Sequence, residues 1–192
     1  MLVISCHADT NFSKHTLQKQ ADGSYLGHMD NFVGVYSVMQ AYFSGRMNKD
    51  YVRIELTYGE EVGFIGAYEV LNSIKQDDMV IVVDVTGVKT QKDIVIEKCM
   101  NPCVERFLRE TLDPDSFDLY QGCKDPVASC DESDVYREIS EHVFFLGVPC
   151  FGGDYNEIPV GCYQRNIDGI SEAICKIVEQ YPKYCQQHNL DI

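Results

Sequence analysis

An α/β sandwich with a mostly parallel central sheet is the fold class this sequence predicts, and three observations predict it. Short apolar runs of strand type alternate with stretches of helical spacing along the chain. One run, residues 79–85, is apolar almost without a break, as expected of a strand buried on both faces of a parallel sheet. Acidic residues recur just past the ends of such runs, at the edge where open α/β sheets bind ligands.

Each element has its own local reason. Residues 2–6 form a short β-type run. Residues 15–27 have the shape of a hairpin turning at Asp22-Gly23. Residues 31–45 place Val33, Val38, Met39 and Tyr42 at helical spacing, with Gly45 suited to the C-terminal cap. Residues 52–57 form a strand, and 62–74 a helix with Val62, Ile65, Val70, Leu71 and Ile74 as its apolar positions. After the strand 79–85 come a strand at 93–99, a helix at 103–112 and an edge strand at 117–120. The chain then predicts a helix over 133–145, a strand at 148–151 and a last helix at 169–180. No repeat, low-complexity tract or Pro/Gly-rich linker divides the 192 residues, so a single domain is expected.

Composition excludes several classes. Sixteen Lys and Arg against thirty Asp and Glu leave a net charge of −14. Nucleic acid and anionic membrane both require a positive surface, so neither is expected as the main partner. No apolar run approaches the ~18 residues of a membrane span. Nine cysteines, an odd number with no CxxC pair, make a poor disulfide framework and no zinc knuckle. They read as reduced thiols in a cytoplasmic protein.

The chemistry lies at the strand ends. His7 and Asp9 follow the first strand, Asp30 follows the hairpin, Glu60 and Glu61 follow the strand 52–57, and Asp84 closes the strand 79–83. Each alone has an ordinary explanation: a helix start favours acids, and Asp at a strand end caps or turns. Together, one imidazole and several carboxylates delivered to one sheet edge suit Zn²⁺, with Mn²⁺ or Co²⁺ as alternatives.

Four strings carry a family resemblance: ISCHADTNF (4–12), GHMDNFVGVYSVM (27–39), LTYGEEVGFIGA (56–67) and VVDVTG (82–87). With them the chain resembles the zinc exopeptidases of the bacterial leucyl aminopeptidase, glutamyl aminopeptidase and acetylornithine deacetylase group. Residues 133–153 resemble a later helix-and-strand step of that group more loosely. The resemblance implies a phosphorylase/hydrolase-like α/β/α architecture of three layers. It implies one catalytic domain over 1–192, but only twenty residues separate Asp9 from Asp30 and 108 follow Asp84, which leaves no room for the lid or dimerisation insert of some branches. His7 and Asp84 would then bind one metal, Asp30 would bridge two, and Glu61 would bind the second. Glu60 would be the general base, and Asp9 would hold the His7 ring. A cis peptide bond is expected after Asp30. The implied activity is cleavage of amide bonds in short peptides or aminoacyl compounds, by a monomer or small homo-oligomer with one or two zinc ions.

The sequence also departs from the family. The late histidine that completes the second metal site is missing from residues 154–164. Asp154, Asn156 or Glu157 would have to substitute, or the second metal is weak or absent. His28 shares a strand face with Asp30 and is a further candidate ligand, though a polar role in the hairpin explains it as well. Asp134 occupies a position where the family has an acid near the site. The family's usual strands before the His-x-Asp strand have no counterpart before residue 1, so the sheet is expected to lose an edge or to have it covered by another chain. These departures favour a second reading: an impaired or inactive relative acting as a metal- or peptide-binding or scaffold protein.

Overall fold

The computed structural model describes residues 1–191. Nine strands and five helices follow in the order β1 (Leu2–His7), β2 (Leu17–Lys19), β3 (Ser24–Gly27), α1 (Phe32–Phe43), β4 (Val52–Thr57), α2 (Ile65–Leu71), β5 (Met79–Thr86) and β6 (Ile94–Glu97). They continue with α3 (Pro102–Thr111), β7 (Phe117–Leu119), α4 (Glu132–Tyr136), β8 (Val143–Phe151), β9 (Val160–Tyr163) and α5 (Gln164–His188). The sheet runs β2-β3-β9-β8-β5-β1-β4, with β6 and β7 joined through β8. Its central block β4-β1-β5-β8 is parallel, while β3, β6 and β9 add antiparallel pairings. The expected α/β class holds.

Strand alternation sends successive side chains to opposite faces, and the sheet has two apolar faces to cover. Leu2, Ile4, Ile81 and Val83 pack with α1, α3 and α5 through Val38, Leu108, Ile174 and Val178. Val3, Val80, Val82 and Phe145 pack with α2 and α4 through Ala67, Val135 and Tyr136. The result is three layers. No helix among the described residues is long and apolar enough to cross a membrane.

Three expectations need correction. The helix over 62–74 is broken: Glu60–Val62 make a 3-10 turn, and α2 starts only at Ile65. Gly63 (φ 113°) and Phe64 (φ 58°) are left-handed, which an α-helix cannot continue through. The helix over 133–145 ends at Tyr136, because the run VFFLGVPCF is buried between β5 and β9 as the nine-residue strand β8. The last helix, expected at 169–180, starts at Gln164, after a strand β9 not expected from the sequence, and reaches His188.

His142 joins the start of β8 to α5. Its Nδ1 lies 2.6 Å from the Tyr184 hydroxyl. Burial holds this imidazole below its ordinary value of 6.5; His188 adds to the effect, and Asp77 and Glu141 oppose it. A histidine depressed in the folded state is protonated first in the unfolded chain. Its stabilisation is therefore complete above about pH 6.5 and is lost as pH falls through the lower, folded value. We expect the chain to lose more stability than His142→Gln between pH 7.5 and 5 in urea denaturation. Parallel stability–pH curves for the two proteins would refute this.

Candidate functional site

The register of the sheet explains how the site forms. β1 and β5 pair in parallel from Leu2 with Met79 to Ser5 with Val82. His7 and Asp84 each lie two residues past that last pair, so both fall on the same face at the carboxyl ends of neighbouring strands. Asp30 arrives from the other direction, just before α1, through a cis peptide bond to Asn31.

Asn31 holds this junction. Its Nδ2 donates to the Val83 carbonyl at 2.8 Å and to Cys6 Sγ at 3.3 Å. Its Oδ1 caps α1 by accepting from Gly34 N at 3.2 Å. A Cβ on Gly34 would stand 2.1 Å from that Oδ1, so the cap requires glycine there. One buried amide thus ties the ends of β1 and β5 to the start of α1, with Asp30 next to it.

His7 is buried, with 2% of its surface exposed. Its Nε2 stands 3.0 Å from Asp30 Oδ1 and 3.2 Å from Asp84 Oδ2, and one donor atom from each of the three residues falls within 4.8 Å of the others. Nε2 and Asp30 Oδ1 nevertheless lack a hydrogen bond of acceptable geometry. On the far side of the ring, Nδ1 lies 3.2 Å from the Asp9 carbonyl oxygen, while the Asp9 carboxylate is 3.5 Å away. A carbonyl only accepts, so Nδ1 carries a proton, and Nε2 faces two carboxylates. That arrangement demands positive charge between them. Asp84 and Asp30 supply the demand for a proton, driving the His7 pKa up to about 12 against its burial. A divalent cation meets the same demand: donor atoms of a tetrahedral zinc site stand roughly 3.3 Å apart. The donor set therefore fits such an ion, and taking one up would release a proton.

Asp30 and Asp84 open onto a cavity of about 310 Å³. Asp30, Glu60, Glu61, Asp84, Glu97, Asp125 and Asp131 line it, with Lys98 as its one basic residue. Burial raises Glu60 most, with Asp84 adding to it, to about 8. Burial and Asp30 also raise Glu61, and burial raises Asp84. Phe64 and Lys98, both non-glycine residues in left-handed backbone, line the same cavity. Such conformations concentrate at functional sites.

The remaining candidates are placed differently. Glu61 lines the cavity but stands outside the three-residue cluster. Asn156 lines it, whereas Asp154 turns back to accept from Asn156 N at 3.0 Å and Glu157 is exposed. His28 is taken up by the hairpin: its Nδ1 accepts from Thr16 N at 3.2 Å, and its ring packs on Phe12. Asp134 closes the capping box of α4 and meets Lys98 Nζ at 2.6 Å.

Sequence reasoning missed the opposite wall. Glu97, at the end of β6, is 2% exposed and accepts from Thr86 Oγ1, Asp125 N and Lys124 N. Asp125 in turn accepts from Gly87 N at 3.0 Å and from the Tyr155 hydroxyl at 2.7 Å. The signal for Glu97 was present: a charged residue closing an apolar strand, as at Asp84. Lys98 Nζ also meets Asp131 Oδ2 at 2.8 Å.

No protein-family model and no curated protein matches the chain. Solved structures do. An aminopeptidase from the archaeon Desulfurococcus kamchatkensis superposes with a TM-score of 0.71 at 16% identity, over 91% of this chain and 54% of that one. An aminopeptidase of the M18 family from Thermotoga maritima gives 0.66 at 12% identity, over 85% and 48%. A yeast aminopeptidase described as a dodecamer gives 0.64 at 10% identity, over 93% and 51%. At these identities the likeness is one of fold, and the chain spans about half the length of the structures it matches.

Asn31→Ala removes a helix cap and leaves the Val83 carbonyl without its donor. The expected loss is about 2–3 kcal/mol of stability, read as a lower midpoint in urea. A change under about 0.5 kcal/mol would contradict the role given to this side chain.

Proposed function

We propose that this chain is a metal-dependent hydrolase of amide bonds, an aminopeptidase-like exopeptidase acting on short peptides or aminoacyl compounds. The observation that carries the reading is His7 Nε2 set 3.0 Å from Asp30 and 3.2 Å from Asp84, two carboxylates that line an acidic cavity. A fold shared with solved aminopeptidases supports it. Nine free cysteines agree with a reducing, cytoplasmic setting.

In this reading His7, Asp30 and Asp84 hold a divalent ion, zinc first and manganese or cobalt as alternatives. When bound, such an ion supplies the Lewis acidity that acidifies water and polarises the scissile carbonyl. Glu60 takes the proton of the attacking water and returns it to the leaving amine. Glu60 lines the same cavity as Asp30 and Asp84, where a carboxylate beside the attacking water can act as a proton shuttle. Asp9 fixes the His7 tautomer through its carbonyl. The excess of carboxylates around the cavity draws in the cationic amino terminus of a substrate.

One observation favours the second reading, a one-metal or inactive relative. The place of the late histidine holds an exposed Glu157 and a self-bonded Asp154, which leaves Glu61 and Asn156 beside Asp30 for a second ion. Metal analysis separates the readings: two ions per chain at full occupancy would reject the impaired relative.

Two outcomes test the proposal. A hundredfold excess of Zn²⁺ over its Kd stabilises by about 3 kcal/mol, so Tm rises by roughly 5–10 °C. His7→Ala and Asp84→Asn lose that rise; an unchanged Tm in the parent chain refutes the metal site. Glu60→Gln keeps the Zn²⁺-dependent rise but lowers kcat on aminoacyl-anilides by about 10²–10⁴. Equal turnover by parent and variant removes Glu60 from the chemistry. No turnover by the parent on a broad amide panel with Zn²⁺, Mn²⁺ or Co²⁺ removes the hydrolase.

A further inference from the structure

Beside the acidic cavity runs a second, larger groove of about 790 Å³. The two share a wall, the loop between β7 and α4. Asp125 and Ala128 of that loop line the acidic cavity, and Pro126 and Val127 line the groove. The carboxyl end of β5 serves both depressions: Val85 lines the cavity, and Gly87, just past the strand, lines the groove.

The groove is the electrostatic opposite of its neighbour. Its lining includes Lys89 and Arg165 and no carboxylate, in a chain with thirty acids and sixteen bases. Its floor includes an aromatic shelf: the Phe151 and Tyr163 rings stack with centroids 4.8 Å apart and 28° between their planes. The Arg165 guanidinium lies over Tyr163, 4.9 Å from the ring centroid. That stacking holds the arginine while leaving its N–H edges open to a ligand. Its carboxylate neighbour, Asp93, stands 3.8 Å away, beyond hydrogen-bond distance.

We propose that this groove receives the carboxylate end of a short peptide whose amino end lies in the acidic cavity. The inference rests on the peptidase reading and adds the substrate's direction and length class to it. A zwitterionic peptide carries opposite charges at its two ends. Adjacent depressions of opposite sign therefore accept it in one orientation and repel the reverse. Gly87, Gly152 and Gly153 line the groove with bare backbone, which an extended chain can approach closely. Short peptides with a free carboxylate gain from this arrangement, and longer or amidated ones do not.

Binding is measured without turnover by titrating Leu-Gly-Gly, and separately its C-terminal amide, into the Zn²⁺-loaded Glu60→Gln chain by calorimetry. The free acid is expected to bind about tenfold more tightly than the amide at low salt. The double substitution Lys89→Glu, Arg165→Glu erases the difference; both residues are exposed, and circular dichroism checks the fold. Equal affinity for acid and amide, a preference that survives the double substitution, or no binding of either peptide overturns the proposal. Turnover by the parent chain is scored separately. A carboxylate preference without turnover rejects the hydrolase and keeps the groove; turnover without the preference does the reverse.

Discussion

The side chain of Asn31 is the contact on which the site depends. Its two N–H donors reach the last turn of the core at Val83 and Cys6, and its oxygen starts α1. Each of these partners belongs to a different element. A single amide can satisfy all three because it carries two donors and an acceptor on one plane. A carboxylate there would offer no donor to the Val83 carbonyl, and an apolar side chain would strand both that carbonyl and the helix amide. The close approach of Gly34 belongs to the same device, since any side chain on it would expel the cap. Asp30 inherits its backbone position from this anchorage, and its carboxylate reaches His7 Nε2 at 3.0 Å.

Around that anchor the protein accepts electrostatic cost. His7, Asp30 and Asp84 are buried together, and Glu60, Glu61, Glu97 and Asp125 crowd the same cavity. Gathering like charges out of water disfavours their ionised forms, which is why Glu60, Glu61 and Asp84 all move upward. The structure offsets part of this locally. Backbone amides from 124 and 125 and the Thr86 hydroxyl saturate Glu97, and Lys98 balances Asp131 and Asp134. The cluster at His7 has no such compensation from neighbouring side chains. The contrast separates carboxylates that brace the wall from those left with charge to share.

Much of this was legible in the chain, for physical reasons that can be named. β1 and β5 show as apolar runs because a central parallel strand is buried on both faces, and the residues that close them stand out against that background; β4, at the sheet edge, shows by its alternation instead. His7, Asp30, Glu60, Glu61 and Asp84 were found in this way. What stayed hidden depends on contacts distant in sequence. β9 is a four-residue VGCY that becomes a strand only because β3 and β8 flank it. The run from 143 onward fits a helix as well as a strand until β5 is placed beside it. Asp154 and Glu157 drop out of the cavity because an Asx turn redirects the first and solvent takes the second. Tyr155, between them, was invisible: a buried phenol reads as core until its hydroxyl meets Asp125.

The position of β5 between β1 and β8 has a consequence during synthesis. β1 precedes β5 by some seventy residues, but β8 does not begin until Val143. A chain emerging in order exposes one long edge of Met79–Thr86 until about sixty more residues follow. That segment, MVIVVDVT, is the kind of apolar, β-branched stretch that pairs with copies of itself when left unpaired. Asp84 is the single charge in it. Stacking identical strands in register would stack that carboxylate on its own copies, so the residue that completes the acidic cluster in the folded protein is also the one that disfavours such pairing.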